Sequence, residues 1–209
     1  ASSSDGGDGG GDLVAAARAG DAATVAALCA PGTHVDVNAR DEQGYVALHH
    51  AVAHGRSVMA PLLEHADIAV NVPNGDGNTP FHYFAAQFKS HADVVAVYEL
   101  FRRRSVQLDA RNNMGETPLH KAVLNTHAGM PLVKLLLANG ADANAQNSTG
   151  ETSLHYAVRL DRPAIFSLLC QGGADVNVRA KDGTTLLELA VAYNAESIAD
   201  MLSGARVAG

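Results

Sequence analysis

Ten histidines stand among 209 residues, and three of them, His49, His50 and His54, form an HHxxxH run. On a helix, His50 and His54 lie four apart on one face, and a His pair at that spacing can chelate zinc. No third ligand follows at a fixed spacing, so no metal is expected. Ser153 precedes Leu154-His155, but it stands at a helix start after Thr152, where capping is its natural role. No Ser or Cys is spaced with His and a carboxylate as a nucleophile. Glu116 and Glu151 occupy equivalent positions roughly 10 Å apart if they sit on adjacent helix layers. That is wide even for the acid and base of an inverting glycosidase. The glycines near the start precede neither a strand nor a GKS/T signature, so no phosphate loop is formed. Arg102-Arg103-Arg104 reads as a solvated helix end favoured by the helix dipole; the sharper alternative is a docking patch for an anionic partner, such as a phosphorylated one. Cys29 and Cys170 lie beside leucines with no CxxC pair, which fits reduced core residues and a cytoplasmic or nuclear setting. No catalytic residue and no cofactor is expected.

The elements that would position these residues are built from a restricted alphabet. Apolar residues make up 47%, aromatic residues 5%, and Trp is absent, so the core must come from Ala, Val and Leu. The net charge of −7 argues against nucleic acid, whose binding rests on Lys and Arg neutralising phosphate. No apolar run approaches the roughly 18–20 residues of a membrane span. The opening ASSSDGGDGGGD and the missing initiator Met read as a flexible leader, residues 1–11, on a piece cut from a longer protein.

One pattern recurs five times: GYVALHHAV, GNTPFHYFA, GETPLHKAV, GETSLHYAV and GTTLLELAV, beginning at Gly44, Gly77, Gly115, Gly150 and Gly183, with spacings of 33, 38, 35 and 33 residues. Asn38, Asn71, Asp109, Asn144 and Asn177 stand six residues before these glycines. His49, His82, His120, His155 and Glu188 stand five after. Each unit predicts two helices. The first opens at a Thr cap (Thr79, Thr117, Thr152, Thr185), twice followed by Pro. The second is apolar, as in Leu132–Leu137 and Ile165–Leu169, and stops at Gly140 or Gly172-Gly173. A short extended stretch leads to the next unit.

A helix-turn-helix-hairpin unit with a period near 33 and a TPLHxA motif resembles the ankyrin repeat. The resemblance covers about residues 12–204 and is strongest over Gly115–Asn147. It implies an all-α solenoid of paired helices joined by short β-hairpin loops, with six repeats: an N-terminal cap at 12–38, then 39–71, 72–109 with an insertion, 110–144 and 145–177, and a C-terminal cap at 178–209. It also implies that His49, His82, His120 and His155 hold the hairpin-to-helix turn by hydrogen bonds. Four departures are visible. Residues 87–91 lengthen the third unit and predict a long inter-helix segment, and two extra residues lie near 125–129. Phe84 replaces the Ala of Ala51, Ala122 and Ala157. Pro61 falls inside a second helix, which is expected to be shortened or to start late, because an interior Pro costs about 3 kcal/mol.

Family geometry places the sixth residue after each Gly (His50, Tyr83, Lys121, Tyr156, Leu189) on a concave groove, with Ala53/His54, Leu124/Asn125, Arg159/Leu160 and Ala192/Tyr193 nearby and Tyr45, Glu116 and Glu151 at the hairpins. Large aromatic and charged groups with no apparent framework duty suit a recognition surface. The resemblance therefore implies a monomeric, non-catalytic module that binds a protein or peptide on that face, not nucleic acid or membrane. Host chains of such modules often carry a kinase, a SAM domain or a GTPase regulator. A second reading is a substrate for asparagine hydroxylation, since Asn144 and Asn177 each follow a Leu (Leu136, Leu169) by eight residues. A third, a metal-binding or enzymatic protein, has the weakest support.

Overall fold

The computed structural model describes residues 9–207, with side chains described through residue 204. The expected leader lies outside the described residues except for its last three, and Gly10 and Gly11 already belong to the first helix. The chain divides into two compact units, Ala1–Gln107 and Leu108–Gly209. The described residues of both units are helical, and their only strand pairing is two isolated bridges, Arg40 with Val46 and Arg179 with Thr185.

The first unit contains three helix pairs: α1 (Gly10–Ala19) with α2 (Ala22–Leu28), α3 (Ala47–Ala51) with α4 (Arg56–Glu64), and α5 (Pro80–Gln87) with α6 (Val94–Arg102). A 3-10 turn, Val52–His54, extends α3. Helix α4 starts directly after Gly55 and runs through Pro61 to Glu64. The expected shortening does not occur. Val58, Met59, Leu62 and Leu63 are all buried, and that packing offsets the single backbone hydrogen bond that Pro61 cannot donate. Phe84, at the alanine position of its unit, is fully buried. It joins Phe81, Phe88 and Phe101 in a buried cluster with ring centroids 4.8–5.5 Å apart. The longest connection between paired helices, residues 88–93, follows α5; Phe88 plugs it from inside, and Ser90 Oγ donates to Asp93 at 2.7 Å. Arg104 points its guanidinium at the end of α4, donating to the carbonyls of Leu63 (2.9 Å), Glu64 (2.8 Å) and Ala66 (3.3 Å). One cation thus closes the carbonyl end of a helix in the preceding repeat. Arg102 pairs with Glu99.

The second unit repeats the plan with α7 (Pro118–Leu124) and α8 (Gly129–Ala138), α9 (Ser153–Arg159) and α10 (Pro163–Gln171), and α11 (Leu186–Ala192) and α12 (Glu196–Val207). Its core is aliphatic: Leu119, Val123, Leu132, Val133, Leu136, Leu154, Val158 and Leu169 are fully buried. The extra residues before α8 are organised by buried Asn125, whose Oδ1 accepts from the backbone N–H of His127 and Ala128, both at 2.8 Å. Arg162 donates to the carbonyls of Val123 and Asn125, as Arg104 does in the first unit.

The column of residues six before each Gly braces one repeat to the next. Asn38 donates to the Asp67 carbonyl (2.8 Å) and accepts from Ala69 N–H (2.9 Å). Asn71 does the same with Ser105 and Gln107, and Asn144 with Gly173 and Asp175. Asp109, lacking an amide, keeps only the accepting half, from Asp142 N–H. Asn144, one of the two asparagines singled out for hydroxylation, is therefore an exposed brace with both amide atoms engaged.

Candidate functional site

The four motif histidines are framework. Each accepts at Nδ1 the backbone N–H three residues earlier: Val46 to His49 (3.0 Å), Thr79 to His82 (3.1 Å), Thr117 to His120 (3.2 Å), Thr152 to His155 (3.0 Å). In the last repeat Glu188 makes the same reach back to Thr185 N–H at 2.8 Å, as the Glu of a capping box does. An accepting Nδ1 leaves the proton on Nε2, which donates into the next hairpin: His49 to the Asn78 carbonyl (2.9 Å) and His120 to that of Glu151 (3.1 Å). Burial holds His49 down at about 4 and also lowers His120 and His155.

A second polar column lies three residues before the Gly, at Asp41, Asn74, Asn112 and Asn147. In each, Oδ1 accepts the backbone N–H groups two and four residues on, closing the hairpin tip. A third column, one residue earlier still, ties hairpins together. Arg40 donates to Pro73 O, Arg111 to Gln146 O, and Gln146 to Arg179 O. Neither column was singled out in the sequence, although both recur there at constant offsets.

The sequence-predicted binding residues are fastened to these hairpin tips. In the first unit, Asp41 Oδ2 accepts from Arg18 (2.6 Å) and His50 Nε2 (3.0 Å). Burial raises the Asp41 carboxyl, but the bonds from His50, Tyr45, Gln43 and Arg18 outweigh it and leave the carboxyl below its ordinary value. Tyr45 stacks on His50 with centroids 5.3 Å apart, and its hydroxyl meets that of Tyr83 at 2.8 Å. Asn74 Nδ2 donates to Tyr83 Oη at 3.2 Å. His54 does not join His50: its Nε2 faces the Arg18 carbonyl at 3.0 Å, at the end of α1. The HHxxxH run therefore serves three different framework contacts. Arg18, Val14, Arg40, Asp41 and Glu42 border an open pocket of about 430 Å³.

In the second unit, Glu116 is only 4% exposed. It accepts from Asn112 Nδ2 (2.8 Å) and Tyr156 Oη (2.7 Å), and it pairs with Lys121. Burial alone would raise this carboxyl; the Lys121, Asn112 and Tyr156 donors overcome it and hold it at about 2. Tyr156, 9% exposed, also accepts from Asn147 Nδ2, and burial with the Glu116 charge pushes its phenol up. Glu151 pairs with Arg159, whose guanidinium lies 5.9 Å from the Tyr156 ring centroid and 5.6 Å from that of Tyr193.

The structure thus corrects the premise that these side chains have no framework duty. Hairpin and helix positions nine residues apart are latched by matched chemistry: Asp41 with His50, Asn74 with Tyr83, Asn147 with Tyr156, and Asn112 through Glu116 with Lys121. Glu116 and Tyr156 offer little surface. Tyr193 is 50% exposed. Leu124 (39%) and Leu160 (44%), which family geometry sets beside the groove, are exposed at the ends of α7 and α9; Met114 (60%), exposed at a hairpin tip, was passed over in the sequence. Among the described residues, no group of three or more His, Cys, Asp or Glu converges as a metal site would, and no helix is long and apolar enough to cross a membrane.

Comparison with known proteins agrees with this framework. A family model of ankyrin repeats in three copies matches residues 126–208, and one of ankyrin repeats in many copies matches residues 28–84. Stress-activated protein kinase alpha of Dictyostelium discoideum is 45% identical over 112 residues, which are 54% of this chain and 17% of the kinase. The chain thus spans about a sixth of that relative's length. Among solved structures, an ankyrin repeat protein superposes with a TM-score of 0.78 at 25% identity, covering 94% of this chain and 98% of the other. A chain from the complex of a predatory endopeptidase with an immunity protein, from Bdellovibrio bacteriovorus, gives 0.76 at 27% identity, covering 92% and 96%. With repeat models matching in both units and the Gly, His and Asn columns accounted for by contacts, the chain belongs to the ankyrin-repeat family.

Proposed function

We propose that this chain is a non-catalytic module that binds a protein or peptide partner on the side formed by its hairpin tips and first helices. The observation that carries the reading is how the side chains there are divided. The carboxylates, imidazoles and phenols that sequence singled out there are engaged internally, Tyr193 against the Arg159 guanidinium, while Met114, Leu124, Leu160 and much of Tyr193 are exposed. Exposed apolar and aromatic groups on a fixed polar frame suit recognition, whereas catalysis needs a free nucleophile or base. Ankyrin repeats in general mediate protein–protein interaction. Likeness to part of a protein kinase supports a targeting role within a larger signalling or scaffold chain, as a monomer in the cytoplasm or nucleus.

Affinity capture on the immobilised chain, followed by binding measurements with the purified partner, tests this. Replacing Arg159 and Tyr193 together by Ala is expected to weaken the partner at least about tenfold, equivalent to roughly 1.4 kcal/mol. Unchanged affinity would move the site to the second helices. A wild-type chain that retains no specific protein would overturn the module reading.

A further inference from the structure

The arginine run at the end of α6 leads to a serine that stands where other repeats keep a glycine. Ser105 lies four residues before Asp109, as Gly140 lies before Asn144 and Gly173 before Asn177. The two glycines have φ +87° and +89°, and Ser105 follows them into the left-handed region at φ +54°. A side chain there carries strain that glycine avoids. The turn is held from the second repeat. Asn71 Nδ2 donates to the Ser105 carbonyl at 3.1 Å, and Asn71 Oδ1 accepts from Gln107 N–H at 2.9 Å. Arg104, the residue before, closes the carbonyl end of α4. The Ser105 side chain is exposed. Arg102 and Arg103 precede it by three and two residues, and Val106 follows it. No other serine or threonine of the chain has arginine at both positions. Arg103 is exposed, and Arg102, also exposed, pairs with Glu99 one helical turn back. A surface pair of that kind is weak, so both guanidiniums are open to acidic partners. A kinase whose substrate groove carries carboxylates reads two arginines ahead of a serine by such charge pairs.

We propose that Ser105 is a phosphorylation site for a serine/threonine kinase directed by basic residues, and that phosphate there loosens the joint between the second and third repeats. Ser105 Oγ bonds to the γ-phosphorus of ATP as the bond to the β-phosphate oxygen breaks; ADP leaves, and the hydroxyl proton passes to a base of the kinase. A phosphoserine carries a charge of about −1.5 to −2 at pH 7. This one stands just past the carbonyl end of α6, where the helix dipole disfavours an anion. It also stands beside Arg104, whose acceptors at the end of α4 are neutral carbonyls. A phosphate is a stronger acceptor for a guanidinium than a carbonyl is. Arg104 is therefore drawn off α4, and the Asn71 brace on the same turn opens with it. Release of the left-handed strain at Ser105 favours the same direction.

The test incubates the whole chain with ATP and the catalytic subunit of cyclic AMP-dependent protein kinase. Intact mass should show one phosphoryl group gained, and fragmentation should place it on Ser105. Ser105→Gly should abolish the gain with no loss of thermal stability, since glycine suits the left-handed turn. Arg103→Ala should slow the initial rate at least about tenfold, the worth of one charge-assisted pair. It should leave thermal unfolding unchanged, since that side chain is exposed. In the phosphorylated chain, hydrogen exchange should quicken several-fold at the His65 and Ile68 amides, which bond within the end of α4, and at the Gln107 amide held by Asn71. Amides of residues 132–137 should exchange as before. A chain that stays unmodified overturns the site, whether or not a synthetic peptide of residues 99–109 is modified. So does phosphate placed on another residue, or an Arg103→Ala chain modified at the wild-type rate. Full modification of Ser105 with unaltered exchange at those three amides overturns the loosening.

Discussion

The fifth and sixth repeats carry nearly the same sequence plan and live in different circumstances. In the fifth, the hairpin around Gly150 is roofed by the following hairpin, and Val158 is fully buried. In the sixth, Val191, the equivalent of Val158, is 67% exposed. His120, one repeat earlier, donates to the Glu151 carbonyl, but His155 Nε2 is buried without a partner. The Asn147–Tyr156 latch becomes Ala180 and Leu189, which cannot hydrogen-bond by side chain. A repeat residue thus earns its stabilising contact from the repeat that follows, so identical residues differ in worth by position.

The largest expected effect separates two glycines. Gly150 has φ +79° and Gly183 φ +87°, both left-handed, but a Cβ on Gly150 would lie 2.7 Å from Lys181 N, whereas a Cβ on Gly183 meets nothing within 4 Å. Gly150→Ala should cost about 4 kcal/mol, combining left-handed strain with displacement of the neighbouring hairpin, and Gly183→Ala only about 1–2 kcal/mol. Urea unfolding of the two variants measures the difference, and equal losses would mean the hairpin contact contributes nothing.

The buried latch comes next. Glu116→Gln should destabilise the chain by about 2 kcal/mol at pH 7, because Lys121 and Tyr156 lose a charged acceptor. The folded carboxyl sits at about 2 against an ordinary 4.5. Its contribution is therefore complete above about pH 4.5 and disappears as pH falls towards 2. The gap between wild type and variant should close over that window. A gap constant down to pH 2 would show that the charge is not what matters. Thr184→Ala, at the equivalent place in the sixth repeat, should cost under about 0.5 kcal/mol.

The smallest effect concerns the histidines. His120→Ala should exceed His155→Ala by about 1 kcal/mol, the worth of the extra hydrogen bond to the next hairpin. Both imidazoles are depressed by burial, so each supports the fold fully above the unfolded value near 6.5 and progressively less as pH drops below it. Equal losses for the two variants at pH 7 would show that the sixth repeat satisfies His155 after all.

The columns that recur with one residue type were legible: glycines because only they tolerate the left-handed tip beside another hairpin, histidines because one imidazole serves two backbones, asparagines because an amide can donate and accept at once. The latches were not legible as pairs. Asp41 with His50 and Asn147 with Tyr156 do the same work with different chemistry, so no single letter repeats, and their large polar side chains looked available. Pro61 and Phe84 were visible as departures, but their outcome depended on packing that no single position shows: the buried side chains along α4 in one case and Phe101 on the paired helix in the other. Met114 escaped notice because an isolated apolar residue at a hairpin tip has no periodic partner.

The asparagine braces have a kinetic consequence. Asn38 reaches Asp67 and Ala69, Asn71 reaches Ser105 and Gln107, and Asn144 reaches Gly173 and Asp175, each a sequence separation of 29–36 residues. Every such closure therefore faces nearly the same loop entropy, since that cost grows only with the logarithm of length. Within each unit no brace requires the chain ends to meet. Folding there can begin at any adjacent pair of repeats and spread outward one closure at a time, and the order of assembly is set by which pair is locally most stable, not by the distance the chain must search.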